Sequence, residues 1–137
     1  LDTHYGSRIG KAPLDLVHAH TPGPAGFEAL RLAGGFDQNW VVSGEAGTLR
    51  PAARAVSDET GVCMDVLTTQ PGVQFYSGNG MDGFPRGKGG APYARRWGFC
   101  LETQYAPDSP NQPAFPSVIL HPGEEYHYTT SYQFSVR

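Results

Sequence analysis

Gly98-Phe99-Cys100-Leu101-Glu102-Thr103-Gln104, running on into Tyr105-Ala106-Pro107-Asp108, is the stretch on which the fold turns. It reads as an apolar β-strand with one carboxylate in its middle. Phe99, Leu101 and Thr103 fall on one face; Cys100, Glu102 and Gln104 fall on the other. The run around it predicts that Glu102 is at least partly buried, at a cost of several kcal/mol unless something stabilises the charge. Two readings compete. Glu102 is a structural carboxylate, solvated or paired with an arginine, or it is a general base tuned by its pocket. Period alone favours the first.

Outward from this strand the chain keeps the same character. Residues 36–42 open a β region, and residues 49–56 and 62–69 read as a hairpin across Ser57-Asp58-Glu59-Thr60-Gly61. Residues 73–77 form the next strand, with Gln74 and Tyr76 on one face. A Gly-rich loop spans 78–90; its Arg86-Gly87-Lys88 lacks the spacing of a phosphate loop. Four prolines between 107 and 116 exclude regular structure there. Residues 117–120 are expected as a short strand and 121–124 as a turn. Tyr126, Tyr128, Thr130, Tyr132, Phe134 and Val136 then alternate with polar residues, predicting a long half-buried strand. The opening segment is less regular. Residues 2–11 show no period, 13–17 allow a turn or a short strand, and 25–32 suggest a short helix stopped by Gly34-Gly35. The class is therefore all-β, an antiparallel sandwich.

Composition narrows the function. At 137 residues the chain is one domain or part of one. A net charge of −3 leaves no basic footprint for nucleic acid or an anionic membrane. No stretch is long and apolar enough for a transmembrane helix or a signal peptide, so the expected compartment is the cytoplasm. The 18 glycines and 12 prolines lie between apolar runs, as in a turn-rich β protein. Cys63 and Cys100, both in expected strands, read as two buried thiols, with a single bridge as the alternative. His18 and His20 sit in a loop without a carboxylate or Cys at ligand spacing, and His121 and His127 read as surface residues, so no metal is expected. The start at Leu1 rather than Met predicts a processed product or a piece of a longer chain.

Several stretches, in order and spacing, resemble the aldose 1-epimerases (galactose mutarotases). They are Gly35-Phe36-Asp37-Gln38-Asn39-Trp40, Thr68-Thr69-Gln70-Pro71-Gly72-Val73-Gln74-Phe75-Tyr76-Ser77-Gly78-Asn79, Gly98 to Gln104, Phe115-Pro116-Ser117 and Leu120-His121-Pro122-Gly123-Glu124-Glu125-Tyr126. The resemblance covers residues 35–137 well, and 1–34 only by position. It implies a β-supersandwich present as its C-terminal portion, binding a free aldose and interconverting its α and β anomers without metal or cofactor. It assigns Glu102 as the base, Asp37 as a ligand of sugar hydroxyls and Gln74 as a neighbour of the sugar. One departure is Gln38, where the family usually has His beside the Asp. A larger one is that the family's acid His, a second His and a sugar-binding Arg belong to an N-terminal portion. None of His4, His18, His20, His121 or His127 stands in the acid motif. The resemblance therefore implies a complementing N-terminal portion as partner, without which the chain is expected to be nearly inactive.

Asp37 by itself could be a turn residue bonding its own backbone, and Gln74 could bond a neighbouring strand. Trp40, Tyr76, Phe84 and Trp97 could stack on a sugar or belong to the core. Three alternative functions share these residues. One is a carbohydrate-binding module without catalysis. Another is a glycoside hydrolase with Asp37 and Glu102 as its carboxylate pair. The third is a sugar-phosphate epimerase using Arg86, Lys88, Arg95 and Arg96.

Overall fold

The computed structural model describes residues 3–9, 12–16, 34–83 and 86–137. The expected helix at 25–32, the loop histidines His18 and His20, and Phe84 lie outside them. Among the described residues eight strands run in chain order: β1 Thr3–Ile9, β2 Ala12–Leu16, β3 Asp37–Val41, β4 Arg50–Val56, β5 Val62–Thr68, β6 Gly72–Tyr76, β7 Cys100–Gln104 and β8 Thr130–Val136. They form a five-stranded sheet in the order β1-β2-β4-β5-β8 and a three-stranded sheet in the order β3-β6-β7. Every pairing is antiparallel. The all-β class is therefore correct.

Strands β3, β6 and β7 each bury one apolar face, through Trp40, through Val73 and Phe75, and through Leu101. The core joins Phe36, Trp40, Val42, Val73, Phe75 and Leu101 to Ala52, Ala53, Ala55 and Val66. Bulky rings on one sheet thus meet alanines on the other, which lets the two backbones approach closely. Phe36 and Phe75 lie 4.9 Å apart between ring centroids, and Phe75 meets Phe99 edge-on at 6.4 Å. Ala52 and Ala53 are both buried because a bulge between Pro51 and Ala53 breaks the alternation. Trp40, at 4% exposure, is a core residue and no sugar platform.

Arg50 is the least expected core member. Its guanidinium is buried and makes five bonds to carbonyls. Nε donates to Ser43, Nη1 to Thr48 and Thr68, and Nη2 to Val42 and Gln70. All five N–H groups of the side chain are therefore used. They bind the loop after β3 to the end of β5. Hydroxyl groups stitch the two sheets together at β8. The Thr103 and Thr130 hydroxyls lie 2.5 Å apart and the Tyr132 hydroxyl donates to the Leu101 carbonyl at 2.9 Å, while within the larger sheet the Thr68 hydroxyl is 3.2 Å from that of Thr130.

Four expectations need correction. Residues 2–11, read as aperiodic, contain β1; a register shift between Tyr5 and Arg8 removes the regular alternation. Residues 117–120 are not a strand. The Ile119 N–H bonds the Ser117 hydroxyl instead, a local bond that competes with a ladder. The final strand begins at Thr130 rather than 126, and it is not half-buried: Phe134 is 70% exposed and Val136 75%. The smaller sheet reaches only its first residues, through Thr103 and Leu101. Finally, Cys63 is buried but Cys100 is exposed, and both are free thiols.

Candidate active site

The three-stranded sheet buries the Leu101 face and leaves the other face open. Register places the residues of that open face in rows. Asp37 stands opposite Tyr76, and Tyr76 opposite Cys100. Asn39 stands opposite Gln74, and Gln74 opposite Glu102. Val41 stands opposite Gly72, and Gly72 opposite Gln104. Directly opposed residues have Cβ atoms about 4.5–5.5 Å apart. Three strands thus carry Asp37, Gln74 and Glu102 to one polar surface, although 65 positions separate the first from the last.

Gln74 is the hinge of this surface. Its Nε2 donates to Asp37 Oδ1 at 2.8 Å, and its Oε1 lies 3.5 Å from Gln104 Nε2. Gln104 Nε2 also reaches Asn39 Oδ1 at 3.4 Å. Gly72 makes room for this group: a Cβ there would stand 2.8 Å from both amide atoms of Asn39. Gln38, which replaces the histidine usual in the resembled family, has a visible task. Its Oε1 accepts the Asp37 N–H at 2.9 Å. Tyr76 is half-buried on the same face, and its hydroxyl accepts the Gly80 N–H.

Glu102 is exposed, which corrects the expectation of burial. Only the Leu101 side of β7 meets the other sheet, and the Glu102 side looks outward. Its electrostatic influence is visible on its neighbour. Desolvation pushes the Cys100 thiol above its ordinary value, and the Glu102 charge, a hydrogen bond to Glu102 and the Asp37 charge push it further. Both carboxylates therefore act on one thiol, as their rows require.

Three arginines of the segment before β7 each give one N–H to a main-chain carbonyl. Arg95 Nη2 and Arg96 Nη2 both donate to the Gly34 carbonyl, at 2.7 Å and 2.6 Å, and Arg86 Nη1 donates to the Gly90 carbonyl at 3.0 Å. Trp97 is exposed beyond the start of β7. Cys100 and Gln104 share the Glu102 face by simple alternation. Asn39 was also legible that way, two residues after Asp37, but an Asn near a strand start reads first as a turn residue.

Comparison with known proteins bears on the same residues. The family model described as "Aldose 1-epimerase" matches residues 7–133. Galactose mutarotase from Bos taurus is 53% identical over 102 residues, covering 74% of this chain and 30% of that protein. The Homo sapiens galactose mutarotase is 52% identical with the same coverage. Aldose 1-epimerase from Escherichia coli K12 is 40% identical over 106 residues, covering 76% of this chain and 30% of that protein. The match thus spans under a third of the length of these relatives.

Proposed function

This chain belongs to the aldose 1-epimerase family, and from that premise we propose that it carries the base side of a site interconverting the α and β anomers of a free aldose. One observation carries the reading: Gln74 bonds Asp37 and stands directly opposite Glu102 on a single open face. In this reading Glu102 takes the proton of the anomeric hydroxyl. The bond between the anomeric carbon and the ring oxygen breaks as the ring oxygen receives a proton. The aldehyde turns about its bond to the next carbon. The ring closes on its other face and the protons return. Asp37 and Gln74 hold hydroxyls of the sugar while this happens.

The geometry suits one monosaccharide. Asp37 and Glu102 are two strands and one row apart, roughly 12 Å between Cα atoms for strands about 4.8 Å apart and about 3.4 Å per residue. That spacing lets the two side chains grip opposite parts of one ring. Of the four basic residues that the sugar-phosphate alternative would use, Arg86, Arg95 and Arg96 each already give one N–H to a main-chain carbonyl.

The general acid belongs, in this reading, to a complementing N-terminal portion of the protein. The surface it would cover includes the exposed Tyr132, Phe134 and Val136 of β8 and a groove of about 600 Å3 lined by Gln104, Ile119, Leu120, Tyr126 and Tyr128. Polarimetry of freshly dissolved α-D-galactose and α-D-glucose tests the proposal. The 137-residue chain alone should give no acceleration. The protein with its complementing portion should accelerate mutarotation, and Glu102→Gln should lower kcat by about 10²–10⁴-fold. A Glu102→Gln protein that keeps its rate within a few-fold refutes the assignment.

A further inference from the structure

Asp37 is exposed, and it follows two glycines in unusual conformations, Gly34 at φ 67° and Gly35 at φ 156°. A Gly-Gly lead-in has more conformational freedom to lose than any other dipeptide. Left alone, it would let the Asp37 carboxylate wander. The structure closes that freedom from two sides.

On one side, Phe36 is held at both ends of its backbone. Its N–H donates to Ser77 Oγ at 2.9 Å. Its carbonyl accepts from the Ser77 N–H at 3.0 Å and from Asn79 Nδ2 at 2.9 Å. The Ser77 hydroxyl in turn donates to Asn79 Oδ1 at 2.7 Å. The ring of bonds fixes which way the Asn79 amide points, because its oxygen faces a hydroxyl and its nitrogen a carbonyl. Ser77 is 1% exposed, so water cannot replace it. Gly35 is required for this arrangement: a Cβ there would lie 2.1 Å from Asn79 Oδ1.

On the other side, Arg95 and Arg96 converge on the Gly34 carbonyl. Arg96 does so from the left-handed region, at φ 64°, where a side chain other than glycine is strained. Its N–H donates to the Gly78 carbonyl at 3.0 Å, one residue from Ser77 and one from Asn79. The two holds therefore meet at the same turn.

We propose that Ser77 and Asn79, backed by Arg96, are positioning residues that aim Asp37 at the sugar. They do not touch the sugar or the reacting atoms. This rests on the reading of Asp37 as a sugar-hydroxyl ligand and adds to it the device that makes a glycine-led loop rigid enough to bind. Their effect must pass through Asp37, so it should appear in sugar affinity and not in the proton-transfer step.

The test is polarimetry on α-D-galactose with the complete enzyme, reading KM and kcat separately. Asn79→Ala should raise KM about tenfold, the equivalent of one ordinary hydrogen bond, with kcat within about twofold. Ser77→Ala removes only a hydroxyl and should act in the same direction, which keeps the test open if Asn79→Ala does not fold. Added to Asp37→Ala, neither substitution should raise KM further, because contacts acting in series are not additive. An unchanged KM in a folded variant, or a rise that adds in full to that of Asp37→Ala, overturns the proposal. In parallel, loss of turnover in Glu102→Gln with KM unchanged in Asn79→Ala overturns the positioning role alone. Retained turnover in Glu102→Gln overturns the parent reading and this one with it.

Discussion

Replacing Arg50 by Met should cost this fold about 3–5 kcal/mol. The side chain is buried and all five of its N–H groups reach carbonyls, those of Val42, Thr68 and Gln70 in buried surroundings. Summing five charge-assisted bonds at about 1.5–3 kcal/mol each would rival the whole stability of a domain, so the sum overcounts. A better figure starts from what the variant leaves behind. Met occupies most of the space of the arginine stem, so little cavity opens. Three buried carbonyls lose a donor, at about 1–3 kcal/mol each. Part of this returns, because a guanidinium no longer has to be desolvated. Three carbonyls at about 1–3 kcal/mol each, less that return, leave about 3–5 kcal/mol. Arg50→Lys keeps a charge and three N–H donors, and should cost less, about 2–3 kcal/mol. Urea unfolding followed by tryptophan fluorescence measures both. Trp40 is buried and reports the transition, while Trp97 is already exposed. With a slope of about 2 kcal/mol per molar, Arg50→Met should lower the midpoint by about 2 M. A loss under 1 kcal/mol would mean that the five carbonyls find other partners, and the reasoning would fail.

Two further outcomes follow from the charges. Cys100 is exposed yet held above the ordinary thiol range, by desolvation first and then by Glu102. Glu102→Gln should therefore increase the thiolate fraction near neutral pH and speed alkylation of Cys100 by iodoacetamide several-fold; an unchanged rate would place the two side chains apart. The carboxyl of Asp108 is held below its usual value by the Asn111 amide at 2.6 Å and the Gln112 amide at 2.8 Å. A depressed carboxyl stabilises the turn above its unfolded pKa of about 4 and loses that contribution as pH falls through the folded value. NMR titration should show Asp108 protonating at lower pH than a free Asp, and Asn111→Ala should move it up; equal titration in both proteins would contradict the bonded geometry.

The sheet residues were legible because period two reports itself. β5 and β6 emerged within a residue from alternation, β7 with its start drawn too early, and the hairpin from its Thr60-Gly61 turn. β1 was hidden by a bulge, and the 117–120 segment showed strand-like apolar residues whose backbone was already committed to a serine hydroxyl. Asp37, Gln74 and Glu102 were named from the resemblance, and the register places them on one face. What alternation could not convey was exposure. It tells which face of β7 holds Glu102, but whether anything lies on that face depends on how far the other sheet extends. The roles of Ser77, Asn79 and Arg50 were equally hidden. Each looks ordinary in the sequence, and only long-range folding brings their partners to them.

The hydroxyl stitches between β7 and β8 bear on the order in which this protein takes shape during synthesis. Thr103 waits for Thr130, 27 residues later, and the Leu101 carbonyl waits for Tyr132, 31 residues later. The strand that carries Glu102 sits at the edge of its own small sheet, so among the described residues it has no strand neighbour beyond β6. A ribosome delivers Glu102 well before the strand that fastens it. Until β8 arrives and pairs with β5, β7 lacks these two ties, and its ladder with β6 alone holds Glu102 in its row.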